Sequence, residues 1–157
     1  LHQLQQTPFG GVTQTTLPLT ILRMGEPGPP EASLGGGRIT VYALQVGVKS
    51  EDPTMPGNFA VVNLKECAGP NGTKQPTQGV SINALQLETP SGEVSTQIRY
   101  PHFVRRPNFP YTGNVNLKPN QCVRGYVGYS MSGSAVLAVA WNGGMNNDYQ
   151  WALPGSS

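Results

Sequence analysis

The chain predicts an all-β fold, an antiparallel sandwich of seven to eight short strands, and three observations carry that prediction. Glycine and proline are abundant, with 20 Gly and 15 Pro in 157 residues, and only 11% of residues are charged. Gly and Pro cost about 1 and 3 kcal/mol in a helix interior, so long helices are disfavoured and turns are plentiful. Runs of alternating apolar and polar residues recur at intervals of roughly 8 to 12 residues, the spacing of sandwich strands. Finally, the two cysteines, Cys67 and Cys122, stand at the edges of strand-like runs, with no C-x-x-C spacing or neighbouring histidine to suggest a metal site. An even, widely separated pair of this kind predicts one disulfide and an oxidising compartment.

Residues 1–15 are polar and rich in Gln and Thr, and read as an irregular N-terminal arm preceding a single domain over 16–157. Leu17–Met24 is the first strand candidate. Gly25–Gly37 holds three Pro and five Gly and reads as a long, mobile loop. In Arg38–Lys49, Tyr42, Leu44, Val46 and Val48 alternate with Ala43, Gln45, Gly47 and Lys49, the pattern of a half-buried strand. Asn58–Cys67 sets Ala60, Val62 and Leu64 against Phe59, Val61 and Asn63. Cys67 shares the parity of the second set, so a bulge would be needed to turn it inward. Ile82–Thr89 and Glu93–Tyr100 flank Thr89-Pro90-Ser91-Gly92 and read as a hairpin. Pro101–Thr112 reads as a connection crossing between sheets. Cys122–Ser130, Ser134–Trp141 and a short stretch at Trp151 complete the strands. Cys67 on an early strand and Cys122 on a late one predict an inter-sheet disulfide, as in immunoglobulin-like domains.

The run from Asn114 to Trp141 carries Leu117-Lys118-Pro119-Asn120-Gln121-Cys122-Val123-Arg124-Gly125-Tyr126 and ends in Ala138-Val139-Ala140-Trp141. It resembles an immunoglobulin-like domain family of undefined function in exported proteins and lipoproteins of Gram-positive bacteria, above all actinobacteria. That family, which includes a small antigen secreted by mycobacteria, shows a Pro-Gly-Gln-Cys-x-x-Gly-aromatic approach to a late strand. It also shows a Leu-x-Asp-x-x-Gly hairpin, appearing here as Leu87-Glu88-Thr89-Pro90-Ser91-Gly92. Asn120 stands where the family often has Gly, a mild change because Asn tolerates positive φ. The similarity spans Arg38 to Leu153 and implies the fold and export. It carries over no catalytic residue.

Function is less legible. A formal charge of +2, with the basic residues dispersed, excludes the electrostatic footprint of a nucleic-acid binder. No stretch approaches the length of a membrane span, so any membrane anchoring would rest on a segment outside this sequence. His2 and His102 are the only histidines, and His2 lies in the arm. The acids are scattered apart from Glu51-Asp52, so neither a nucleophile with its base nor a metal cluster emerges. No enzyme, cofactor or metal is expected. The richest binding constellation is Tyr100, His102, Phe103, Arg105, Arg106, Phe109 and Tyr111, aromatics interleaved with cations in a Pro-rich loop. Such a loop suits an acidic polymer, a lipid headgroup or a partner protein. Alternatively, Phe103 and Phe109 cap the core while the arginines are solvated. The expectation is a secreted or extracytoplasmic, non-enzymatic binding or accessory module recognising a protein or envelope component. A structural spacer or subunit of a membrane-anchored complex, or an envelope hydrolase using His102, are the alternatives.

Overall fold

The computed structural model describes residues 20–31, 34–72, 85–90, 97–98, 103–109, 117–131, 136–141 and 149–153. The N-terminal arm, including His2, and the Asn142–Asp148 stretch lie outside them. Among the described residues there are eight strands: β1 Thr20–Arg23, β2 Arg38–Val48, β3 Phe59–Cys67, β4 Leu85–Glu88, β5 Gln97–Ile98, β6 Cys122–Ser130, β7 Ala138–Trp141 and β8 Tyr149–Ala152. They make two four-stranded sheets, ordered β1-β8-β7-β4 and β2-β3-β6-β5. All neighbours are antiparallel except β1 and β8, which run parallel. In immunoglobulin terms β2 to β8 take positions A to G in chain order, giving an A-B-E-D sheet and a C-F-G sheet. Strand β1 adds to the second sheet beside G.

Burial between the sheets follows the period of two. Ala60, Val62 and Leu64 of β3 point inward, as their alternation predicts, and meet Leu85, Leu87, Val139, Trp141, Tyr149 and Trp151 from the opposite sheet. The indole of Trp151 donates to the carbonyl of Glu26 at 2.8 Å. The Tyr129 hydroxyl donates to the Leu85 carbonyl at 2.9 Å, a buried tie from one sheet to the other. Apolar burial supplies the main driving force and these bonds remove the polar cost of burying Tyr and Trp.

Four sequence expectations are corrected. The disulfide is not inter-sheet. Cys67 and Cys122 are direct cross-strand partners at the end of the β3–β6 ladder, with Cα atoms 4.0 Å apart. No bulge interrupts β3 opposite β6, so Cys67 keeps the outward parity of Phe59, Val61 and Asn63. The bond therefore staples strands B and E within one sheet, where immunoglobulin domains join B to F. Next, β4 and β5 are not a hairpin, because β4 pairs with β7 and β5 pairs with β6 in the other sheet. Leu85 and Leu87 of β4 bury inward against the A-B-E-D sheet, and the chain crosses to that sheet between β4 and β5. For the same reason, the described part of Pro101–Thr112 stays with β6 and does not cross. Lastly, the loop after β1 is anchored. Gly25 and Gly28 donate to Val41 and Ile39 of β2 at 2.7 Å each, and Leu34 is fully buried.

Strand β2 departs from simple alternation. Irregularities between Val41 and Ala43 and between Gln45 and Val48 shift its register against β3. Ile39, Val41 and Leu44 consequently face the main core, while Val48 packs on the outer face and Val46 is exposed. The first bulge turns Tyr42 outward. That displacement builds the surface described next.

Candidate functional site

The segment 103–109 lies against the outer face and edge of the A-B-E-D sheet. A tight turn brings Arg106 N–H to the Phe103 carbonyl at 3.2 Å, and Arg105 takes positive φ (58°) to complete it. Phe103 is buried and meets Phe59 edge-on, ring centroids 5.7 Å apart. With Val61 they form a small second cluster outside the sheet, flanked by Val48, Met55 and Tyr126. Phe109 N–H donates to the Tyr126 carbonyl, and Tyr126 N–H donates to Pro107, at 3.0 and 2.9 Å. This docking carries the Phe109 side chain into the main core. It requires Gly125, because a Cβ there would fall on the Phe109 backbone.

The sequence-derived binding loop is thus divided by its own packing. Phe103 and Phe109 are buried and offer nothing to a partner, a correction to their place among the binding candidates. Each ring gains more from leaving water than an exposed position would allow. Arg105 is exposed and Arg106 is half-buried. Tyr100, His102 and Tyr111 lie outside the described residues.

Arg106 leads to a larger feature. Its Nε and Nη2 both donate to Gln45 Oε1, at 2.9 and 2.7 Å, and Nη1 donates to the Val104 carbonyl at 3.0 Å. Gln45 pairs with Val61 across β2 and β3. Four residues further along β3, Lys65 pairs directly with Arg124 of β6. Arg124 stacks its guanidinium 4.0 Å from the centroid of the Tyr42 ring and donates Nε to Asn63 Oδ1 at 3.3 Å. Lys65 Nζ lies 5.6 Å from the same ring centroid. Two guanidinium groups are therefore held in place by two amides, a ring and a carbonyl, none of which carries charge.

Among the described residues, no acid projects from β2, β3 or β6 onto this face. Glu66 of β3 has inward parity and is buried. Glu31 is also buried, where its Oε1 accepts from the Tyr149 hydroxyl at 2.7 Å. Glu26 accepts from Arg23 N–H, Asp52 accepts from Thr54, and Glu88 belongs to the opposite sheet. Burial pushes the Glu66 carboxyl up to about 8, which favours its protonated form near neutral pH. Burial, and then the Glu31 hydrogen bond and charge, push Tyr149 well above the ordinary phenol value. These buried acids serve the core, and among the described residues the outer face of β2, β3 and β6 carries Lys65 and Arg124, with no acid projecting onto it from those strands.

Sequence reasoning singled out Arg105 and Arg106 but missed Tyr42, Gln45, Asn63, Lys65 and Arg124. The alternation of Asn63 and Lys65 opposite Ala60–Leu64 marked two of them as outward. Nothing local marks the bulge that delivers Tyr42.

The strand order defines an immunoglobulin-like β-sandwich, here with its disulfide within one sheet and cations on the outer face of that sheet. No family model and no curated protein matches the chain. Among solved structures it is similar to MPT63, a secreted protein from Mycobacterium tuberculosis, with a TM-score of 0.60 and 12% identity. The match covers 86% of this chain and 98% of MPT63. The likeness is one of fold, and it agrees with the sandwich expected from the sequence.

Proposed function

We propose that this chain is an extracytoplasmic, non-enzymatic recognition module that binds an anionic component of the cell envelope through the outer face of β2, β3 and β6. One observation carries the reading. Lys65 and Arg124 are direct cross-strand neighbours of like charge, a pairing that costs stability in a sheet, and no described acid offsets them. A sheet under selection for stability alone would place a carboxylate opposite one of them. Arg106 extends the same charge along the face. A disulfide with one exposed cysteine supports the export half of the reading, since such bonds persist outside the reducing cytosol. A secreted protein of the same fold agrees with it.

The test is co-sedimentation with isolated Gram-positive cell walls. The wild-type chain is expected to sediment at low salt and to be released as salt screens the contact. The double variant Arg106→Gln/Arg124→Gln should bind at least about tenfold more weakly, the value of losing charge-assisted hydrogen bonds. Equal sedimentation of both proteins contradicts the proposal.

A further inference from the structure

Resting on that reading, we infer that the ligand is an acidic polysaccharide. Three properties of the face point to this class. Its cations are held ready rather than merely present. Gln45 fixes Arg106 through two hydrogen bonds, and Tyr42 with Asn63 fixes Arg124, so little rotamer entropy remains to be lost when an anion docks. Because the holders are neutral, an incoming carboxylate or sulfate displaces no ion pair.

The two arginine positions are also well separated. Gln45 pairs with Val61 and Arg124 with Lys65, four residues apart along β3, which is roughly 13 Å of strand. A single small anion spans no such distance. A chain with recurring acidic groups does, and an open sheet face accepts an extended chain along its length.

The remaining exposed chemistry suits hydroxyl-bearing rings better than a protein surface. Asn63, Gln45 and Tyr42 supply amide and phenol groups in the same rows as the cations. The apolar groups that would anchor a protein partner, Phe59, Val61 and Phe103, are already covered by the chain's own 103–109 segment. Protein interfaces draw most of their energy from buried aromatic and apolar anchors at the centre. Among the described residues, the large apolar side chains exposed near the margin are the isolated Val46 and Val104.

The experiment titrates the chain with four defined polymers: polygalacturonate, dextran sulfate, neutral dextran and poly-L-glutamate. Both acidic polysaccharides should bind at low salt, neutral dextran should not, and poly-L-glutamate should be weaker than polygalacturonate by about tenfold or more. Arg106→Gln/Arg124→Gln should lose about tenfold or more. Gln45→Ala/Asn63→Ala, which keeps every charge, should lose several-fold because it frees both guanidinium groups. Binding of poly-L-glutamate as tight as polygalacturonate would assign the face to an acidic protein and overturn the inference. So would no binding to either acidic polysaccharide, or full affinity in the charge-retaining variant. In each of those cases wall co-sedimentation still reports separately on the broader recognition reading.

Discussion

Glu66 shows how one side chain divides between stability and function. It sits on β3 between Lys65 and Cys67, both outward, and its parity sends it into the sandwich, where Oε1 has no hydrogen-bond partner. Across the ladders it pairs with Ile39 and Val123, and from the opposite sheet the Tyr149 hydroxyl lies near enough to feel its charge. Its folded pKa of about 8 exceeds the ordinary 4.5, so the folded chain holds a proton that the unfolded chain releases between those values. Stability from this group is complete below pH 4.5, declines as pH rises through the window, and is fully lost above about 8. The decline amounts to about 5 kcal/mol at most. Glu66→Gln should remove it, and the difference between wild-type and variant unfolding free energies, measured by urea denaturation across pH 5 to about 9, should trace it. A pH-independent difference would mean that Glu66 ionises freely in the fold. Parity made the inward direction of Glu66 readable from sequence, since it continues Ala60, Val62 and Leu64. Its burial was not, because the opposite sheet that covers it, with Tyr149 near by, is distant in sequence. Asn120 is the converse case: the tolerance of Asn for positive φ was anticipated, and it adopts a φ of 62°.

At the scale of elements, period-two alternation placed β2 and β3, strand-like runs marked β6, β7 and the stretch at Trp151, and long-range pairing decided what these left open. Strand β3 keeps its predicted faces throughout because its ladder with β6 is unbroken. The same unbroken ladder leaves Cys67 facing outward and makes the disulfide a staple within one sheet. Strand β2 has the cleaner alternation on paper, yet two bulges reverse its faces midway. Gly47, at a φ of 73°, marks the second bulge in the sequence, whereas nothing local marks the first. The hairpin expected between β4 and β5 had a good turn sequence, but Leu87 pairs with Val139 in the other sheet. The docking of 103–109 against β6 yields a sharp expectation. Gly125→Ala places a methyl group on the Phe109 backbone, which no rotamer change can relieve. It should cost about 1 to 3 kcal/mol, read by chemical denaturation. It should also increase the fluorescence of a dye that binds exposed apolar surface, as Phe103 and Phe109 lift away. Unchanged stability would show that the segment does not pack on β6 as described.

Across the whole molecule, polar chemistry is sorted by sheet and by side. The inner layer holds the apolar core with Glu31 and Glu66 secluded in it, and the opposite sheet carries one charge of each sign, Arg23 on β1 and Glu88 on β4. The outer face of the A-B-E-D sheet carries Lys65, Arg106 and Arg124, with the Cys67–Cys122 staple fixing the register of β3 on β6 at one end. In the chain-entropy account, closing a loop of that size contributes about 4 kcal/mol. The segregation of charge onto one rigid face is the claim on which the proposed role stands. Backbone amide chemical-shift mapping by NMR during titration with polygalacturonate tests it most directly. The account predicts perturbations concentrated at Tyr42, Gln45, Asn63, Lys65, Arg106 and Arg124, with strands β1, β8, β7 and β4 unmoved. Shifts centred on β1, β8, β7 and β4 instead, with the Tyr42–Arg124 face silent, would contradict it.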